Sequence, residues 1–376
     1  MPRRAVARVD LGAIQRNCEV LRARLGPGPA LCAVVKADGY GHGAVPVARA
    51  ALAGGASWLA VATAAEASAL RSGGLAGPVL VMGALSPQEA EEAVAARADV
   101  VAWREGFLQR LTELVPEGAT VGVHVKLDTG MGRLGTRDEA EARGVAALAA
   151  AAPRLRLAGA MTHFAVADED PAFTAEQLRR FGPFAQACRA LAPELLAHAA
   201  NSAATLREPA SHLDLVRCGV AVYGLDPMQR DPAEHGLEPA LALESYVAEV
   251  KRCEPGQSAG YGRRFVADRP CWLATIPIGY GDGLRRGLGG RARVLVRGRS
   301  FPLVGTISMD NVTALLSTAG EPGVARGDRA VLIGADGSER IAAEELAREL
   351  GTINYEVTCA ISARVPRVHE RDGAPA

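Results

Sequence analysis

From about residue 30 to residue 225 the chain alternates short apolar runs with longer segments rich in alanine, glutamate and arginine. The runs at 31–36, 58–62, 79–83, 99–103, 121–128, 157–164, 195–201 and 213–217 are brief and mostly apolar. Strands of a parallel sheet covered by helices have this character. The intervening stretches 44–52, 64–72, 87–97, 106–114, 138–151 and 174–191 read as helices. Ser86-Pro87-Gln88-Glu89 carries a start signal, with a capping serine and a proline at the first helical position. Eight strands with helical crossovers predict an α/β architecture, a (β/α)8 TIM-type barrel. A doubly wound open sheet is the alternative, but no G-x-G-x-x-G follows the first strand.

Beyond about residue 238 the pattern changes. Runs at 245–251, 272–276, 292–296, 304–309 and 330–333 are separated by glycine, proline and aspartate turns, and one helical stretch, 342–350, interrupts them. A mainly antiparallel β domain is expected there. The linker-like stretch Asp226-Pro227-Met228-Gln229-Arg230-Asp231-Pro232 puts the boundary near residue 230. The expected division is a barrel over 10–230 and a β-rich domain over 231–376, with residues 1–9 available to pair with the latter.

Composition narrows the function. The 376 residues are 49% apolar and carry a formal net charge of zero, which disfavours disorder and generic binding to nucleic acid or anionic membrane. The seven scattered cysteines form no C-x-x-C pair and suggest reduced thiols in a cytoplasmic protein. No apolar stretch approaches a membrane span, and Met1-Pro2-Arg3-Arg4 leads into a segment too short and charged for a signal sequence. The dispersed histidines and the absence of H-E-x-x-H argue against a metal site, and a missing G-x-S-x-G argues against a serine hydrolase.

Lysine usage is the sharper signal. Of 42 basic residues only Lys36, Lys126 and Lys251 are lysines. Arginine serves for charge but cannot supply an amine that loses its proton. Lys36 ends the first predicted strand, and other polar residues end later ones: Lys126 with Asp128, His163, Asn201 with Ser202, and Arg217. Strand ends of a barrel gather at one mouth, where such enzymes work. After the last strand, Arg217-Cys218-Gly219-Val220 offers backbone N–H groups for a phosphate, with Ser202 and the Tyr40 hydroxyl as further donors. A lysine and a phosphate cradle suggest pyridoxal phosphate held as a Schiff base. A phosphorylated sugar clamped by Lys36 is the alternative at this level.

The motifs also carry a family resemblance over nearly the whole chain. They are Ala33-Val34-Val35-Lys36-Ala37-Asp38-Gly39-Tyr40-Gly41-His42-Gly43, residues 126–135, Met161-Thr162-His163-Phe164-Ala165, Asn201-Ser202 and residues 217–224. Gly260-Tyr261-Gly262-Arg263, residues 278–283 and residues 304–310 continue them. With them the chain resembles the pyridoxal 5'-phosphate-dependent alanine racemases. That resemblance implies a homodimer interconverting L- and D-alanine through an aldimine by two bases, and supplying D-alanine for peptidoglycan. Lys36 would hold the cofactor and act on one face; Tyr261 of the partner subunit would act on the other. Tyr40, Ser202, Gly219, Val220 and Tyr355 would bind the phosphate, with Asn201 beside them, while His163 would lie near the ring and Arg217 at its nitrogen. Arg133 would meet the ring oxygen and the substrate carboxylate, and Tyr280 and Met309 of the partner would line the substrate entrance. Lys126 matches a residue that many members carbamylate. Asp38-Gly39, Cys218, Ser308 and Asn311 depart from the usual pattern, which leaves a broad-specificity or serine-preferring racemase as the alternative. A non-catalytic cofactor carrier and a decarboxylase fit less well, the latter because an arginine would face the ring nitrogen.

Overall fold

The computed structural model describes residues 4–376. Its chain divides into two compact units: Ile14–Met228 with Ala233–Leu237, and the residues up to Ala13 with Gln229–Pro232 and Glu238–Ala376.

In the first unit eight parallel strands follow one another around a barrel. After an N-terminal strand β1 (Val6–Asp10), which belongs to the other unit, they are β2 (Ala30–Val34), β3 (Trp58–Val61), β4 (Val79–Val81), β5 (Asp99–Ala102), β6 (Val121–Lys126), β7 (Leu155–Met161), β8 (Leu196–His198) and β9 (Leu215–Cys218). Hydrogen bonding runs unbroken from β8 back through β7 to β2 and on to β9. Two backbone bonds draw the end strands together: Asp214 N to Ala197 O at 3.0 Å and Arg217 N to Ala200 O at 2.9 Å. The strands carry valine, leucine and alanine on buried positions because both sheet faces are covered, and all six residues of β6 are buried.

Helix starts are fixed by side chains that satisfy otherwise open N–H groups. Thr63 with Glu66 and Ser86 with Glu89 form reciprocal capping boxes, while Asp138 and Asp170 cap their helices with a carboxylate. The longest helix the sequence pattern missed is Leu11–Arg24, whose face is rich in Arg, Gln, Asn and Glu. Asp10 starts it, accepting from Gly12 N and Ala13 N at 2.8 and 3.3 Å.

The second unit is built on a sheet that is antiparallel except for one pairing. Its strands are β1, β10 (Leu241–Tyr246), β11 (Glu249–Cys253), β14 (Cys271–Ile276), β15 (Arg293–Val296), β16 (Arg299–Val304), β17 (Val312–Ser317), β18 (Arg329–Asp336), β19 (Glu339–Ile341), β20 (Arg367–Arg371) and β21 (Ala374–Pro375). A hairpin of β12 (Ser258–Ala259) and β13 (Phe265–Val266) stands apart. β1 pairs antiparallel with β10 and parallel with β20. Arg8 of β1 bridges Glu244 and Glu370, and so ties the three strands by charge. The run expected as one strand at 245–251 is two, and the run at 304–309 is instead the end of β16 and a loop. A second helix, Asn354–Cys359, follows Ala343–Leu350. No helix among the described residues is long and apolar enough to cross a membrane.

Candidate active site

Lys36 follows the last residues of β2 and is half-buried. The chain then turns in an unusual sense: Ala37, Asp38, Gly39 and Tyr40 all have φ between 50° and 62°. A left-handed turn costs roughly 1–2 kcal/mol for each residue with a Cβ, so something must hold it. Gly39 N bonds Val35 O at 2.9 Å and Gly41 N bonds Ala37 O at 3.0 Å. Asp38 accepts from Ala44 N at 2.8 Å, and Glu66, while capping its own helix, accepts from Ala37 N at 2.6 Å. The departure Asp38-Gly39 therefore has a local function in locking this turn.

The turn delivers Tyr40 to the end of β9. Tyr40 is buried and packs on Tyr223, whose hydroxyl donates to Val34 O at 2.9 Å. Gly219 has to be glycine here: a Cβ on it would lie 2.3 Å from the Tyr40 hydroxyl. Ser202 stands on the same spot, its Oγ accepting from Gly219 N at 3.0 Å and Ala221 N at 3.3 Å. Hydroxyls of Tyr40 and Ser202 thus meet the backbone of Gly219 and Ala221 in a cradle of the kind a phosphate uses. Asn201 has a separate job, capping the helix Ser202–Arg207 through Ala204 N at 3.0 Å.

Around the mouth the cations share one electrostatic neighbourhood. His163 is held well below its ordinary pKa by burial and then by Arg217, Lys126, Arg133 and Lys36. Its imidazole is therefore neutral at pH 7. Lys126 is 4% exposed, and burial, Arg217 and Arg133 bring its amine down from 10.5 to about 8, with Asp128 opposing. The Asp128 carboxylate is engaged elsewhere, accepting from Gly130 N, Gly132 N and Arg137 Nε at 3.1, 3.0 and 3.2 Å. Arg133 lies exposed on that same loop. Arg217 is 3% exposed, and burial lowers its guanidinium to about 10, so it remains a cation. It donates to Thr162 O at 2.8 Å, Ala199 O at 3.1 Å, His198 Nδ1 at 2.6 Å and His163 Nδ1 at 3.2 Å. A site with this charge suits a dianion together with a carboxylate.

The sequence reading passed over several supports. Buried Gln177 joins the loops by donating to Thr129 Oγ1 at 3.2 Å and His163 O at 3.1 Å and accepting from Ala165 N at 2.9 Å. His198 and His124 lie inside the barrel. One cue was available for His124: in Gly122-Val123-His124-Val125-Lys126 it shares a face with Lys126 by strand alternation.

In the second unit, Tyr261, Tyr280 and Met309 are 75%, 42% and 51% exposed. One loop cluster presents them. Thr306 Oγ1 donates to Tyr261 O at 2.9 Å, while Tyr280 N bonds Ser308 O at 3.1 Å and Gly281 N bonds Met309 O at 2.9 Å. The departures Ser308 and Asn311 close this loop on each other, Ser308 Oγ donating to Asn311 O at 2.8 Å. Buried Asp282, held by Arg4 and Arg364, accepts from Gly279 N at 3.0 Å and fixes the Tyr280 turn. Tyr355 sits half-buried on the helix Asn354–Cys359. Lys251 is exposed on β11. No group of three metal-ligating side chains occurs among the described residues.

Fold and site together define a two-domain barrel enzyme with an amine at its strand ends and a sheet domain carrying exposed tyrosines. Comparison with known proteins gives the family. Residues 9–227 match the alanine racemase N-terminal domain and residues 240–369 the C-terminal domain. The chain is similar to alanine racemases of Desulfovibrio desulfuricans (41% identity, covering 96% of this chain and 97% of that one) and Geobacillus stearothermophilus (42%, 97% and 93%). A solved alanine racemase from D-cycloserine-producing Streptomyces lavendulae superposes with a TM-score of 0.92 at 38% identity, over 98% of this chain and 97% of its own. The chain belongs to the alanine racemase family.

Proposed function

We propose that this protein interconverts L- and D-alanine with pyridoxal 5'-phosphate held on Lys36. The observation that carries the reading is the gathering of Lys36, Lys126, Arg133 and Arg217 around neutral His163, beside the Tyr40–Gly219–Ser202 cradle. Tyr40, Ser202, Gly219, Val220 and Tyr355 would hold the phosphate, with Asn201 shaping that end. Arg217 would face the ring nitrogen. Bound there, the cofactor would supply the electron sink that acidifies the α-proton of the amino-acid substrate. The chain's own residues then move that proton. The neutral Lys36 amine takes it from one face, and the Tyr261 hydroxyl of the partner subunit returns one to the other, with the reverse direction exchanging the roles. Arg217 only donates, so it would leave the ring nitrogen without a proton and restrain the electron sink. Arg133 would bind the substrate carboxylate.

Exposed Tyr261, Tyr280 and Met309 on one loop cluster support a homodimer in which each copy completes the other's site. Lys126, with its lowered pKa, is the amine we assign to carbamylation, which needs the neutral form and would place an anion between Arg133 and Arg217. All seven cysteines are free thiols, in keeping with a cytoplasmic enzyme.

The test is chiral analysis of alanine, serine, arginine and lysine incubated with the protein and pyridoxal phosphate. Interconversion of alanine supports the reading, turnover of serine at an equal rate selects the broad-specificity alternative, and inversion of none of the four refutes it. Lys36→Ala should lose both turnover and the visible absorption of the bound cofactor.

A further inference from the structure

A polar chain crosses the interior of the barrel. Arg217 Nη1 lies 2.6 Å from His198 Nδ1. His198 Nε2 lies 2.8 Å from His124 Nδ1, and His124 Nε2 lies 3.3 Å from Asp99 Oδ2. Both imidazoles are completely buried. Arg217 is near the C-terminal end of β9, whereas Asp99 is the first residue of β5, so the chain runs from one end of the strands toward the other. Arg156 Nη2, from the second position of β7, reaches the same Asp99 oxygen at 3.2 Å.

Donor chemistry allows one arrangement of protons along this chain. A guanidinium only donates, so His198 Nδ1 must accept and the His198 proton must sit on Nε2. That N–H then requires a lone pair on His124 Nδ1, which puts the His124 proton on Nε2, aimed at the Asp99 carboxylate. His198 is held well below its ordinary pKa by burial and by Arg217, so it is neutral and has a single N–H to place. Asp99 stays ionised: burial works against it, but His124, Arg156 and the Gly122 N–H hold it below the usual carboxylate range.

The barrel makes room for this chain at a cost in apolar packing. A Cβ on Gly159 would come within 2.1 Å of His124 Nδ1, and a Cβ on Gly122 within 2.2 Å of the Asp99 carboxylate. Interiors of such barrels are ordinarily filled with branched apolar side chains, and a buried polar network is worth keeping only when every member is satisfied. Here two glycines clear the space and every proton has an acceptor.

We propose that Asp99 and His124 are positioning residues for Arg217: they fix His198 as its Nε2–H tautomer and so hold an acceptor against the guanidinium. The relay stands on these hydrogen bonds alone; its effect on catalysis rests on the reading of Arg217 as the partner of the cofactor ring.

The experiment is long-range proton–nitrogen NMR of the 15N-histidine holoenzyme at pH 7.5, with His198 and His124 assigned by single substitution. Both rings should report a protonated Nε2 and a bare Nδ1. A His198 ring protonated at Nδ1 overturns the relay, whatever the activity. Asp99→Asn, whose amide can donate back to His124, should redistribute the tautomers of both rings and shift the visible absorption of the bound cofactor. It should also lower kcat for alanine roughly tenfold with a smaller change in KM, as loss of an outer partner does elsewhere. His124→Gln can still accept from His198 and should keep kcat within about threefold, whereas His124→Leu cannot and should match Asp99→Asn. Equal kcat and absorption in the Gln and Leu variants overturns the positioning role, and does so even if Asp99→Asn fails to fold. If the tautomers are as assigned but the wild type inverts no amino acid, the functional reading fails and the relay remains.

Discussion

Replacing Lys126 by methionine removes a buried charge from a cluster of cations, and its consequences follow from one displacement. In the fold the amine loses its proton at about 8 instead of 10.5. At ~1.4 kcal/mol for each tenfold change, holding the charged form costs about 3 kcal/mol at pH 7. The sign follows from linkage. Because the folded pKa lies below the unfolded one, the cost is full below about 8 and fades as pH rises toward 10.5, where both states release the proton. Lys126→Met should therefore raise the stability of the cofactor-free protein in carbon dioxide-free buffer by up to about 3 kcal/mol at pH 7, and by about 1 kcal/mol at pH 9.5. The same displacement makes the amine reactive. At pH 8 about half of Lys126 is neutral, against about 0.3% of an ordinary lysine. Neutral amine adds to carbon dioxide and releases a proton, giving a carbamate. Because the chain has only three lysines, 13Cε-lysine NMR resolves the question directly, with Lys126→Met identifying the signal. That signal should titrate near pH 8, and 13C-bicarbonate should give a new carbonyl resonance absent from the variant. An amine titrating near the ordinary lysine value refutes the electrostatic reasoning. One that titrates near 8 but takes up no label refutes the carbamate alone.

Other outcomes follow from single contacts. Gly219→Ala would put a Cβ 2.3 Å from the Tyr40 hydroxyl, so titration with pyridoxal phosphate should show affinity weakened at least about tenfold, equivalent to ~1.4 kcal/mol. Tyr261→Phe changes a residue that is 75% exposed in the single chain; Tm of the unassembled chain should hardly move, while proton removal from the enantiomer facing Tyr261 slows far more than from the other. Equal loss in both directions, measured by deuterium incorporation, would argue against two bases. Ser86→Ala deletes a helix cap in which Ser86 Oγ accepts from Glu89 N at 3.3 Å, and denaturation should show a loss of about 1 kcal/mol.

What could be read from the sequence was whatever depends on periodicity and on residue type. Apolar runs of strand length marked the barrel, and the polar residues that end them marked its mouth. Scarcity of lysine pointed to Lys36 and Lys126 because no other abundant cation gives up a proton near neutrality. What escaped depends on contacts distant in sequence. Glu66 looks like an ordinary capping residue until its second oxygen is found on the Lys36 turn. The left-handed run from Ala37 to Tyr40 has glycine at only one of its four positions, so composition gave no hint of it. His124 and Asp99 sit in runs that read simply as buried strands, and only the stacking of β5, β6, β8 and β9 aligns them with Arg217. The helix at Leu11–Arg24 was missed because its polar face outweighs its apolar stripe.

The central claim is that one amine at the end of β2 and one phenol from a second copy exchange the α-proton of alanine. The direct measurement follows that proton by NMR in deuterated buffer with pyridoxal phosphate present, starting separately from L-alanine and D-alanine. The account predicts deuterium at the α-carbon and appearance of the opposite enantiomer from both starting points, with both lost in Lys36→Ala. An α-proton that stays unexchanged in the wild-type protein, from either enantiomer, would contradict it.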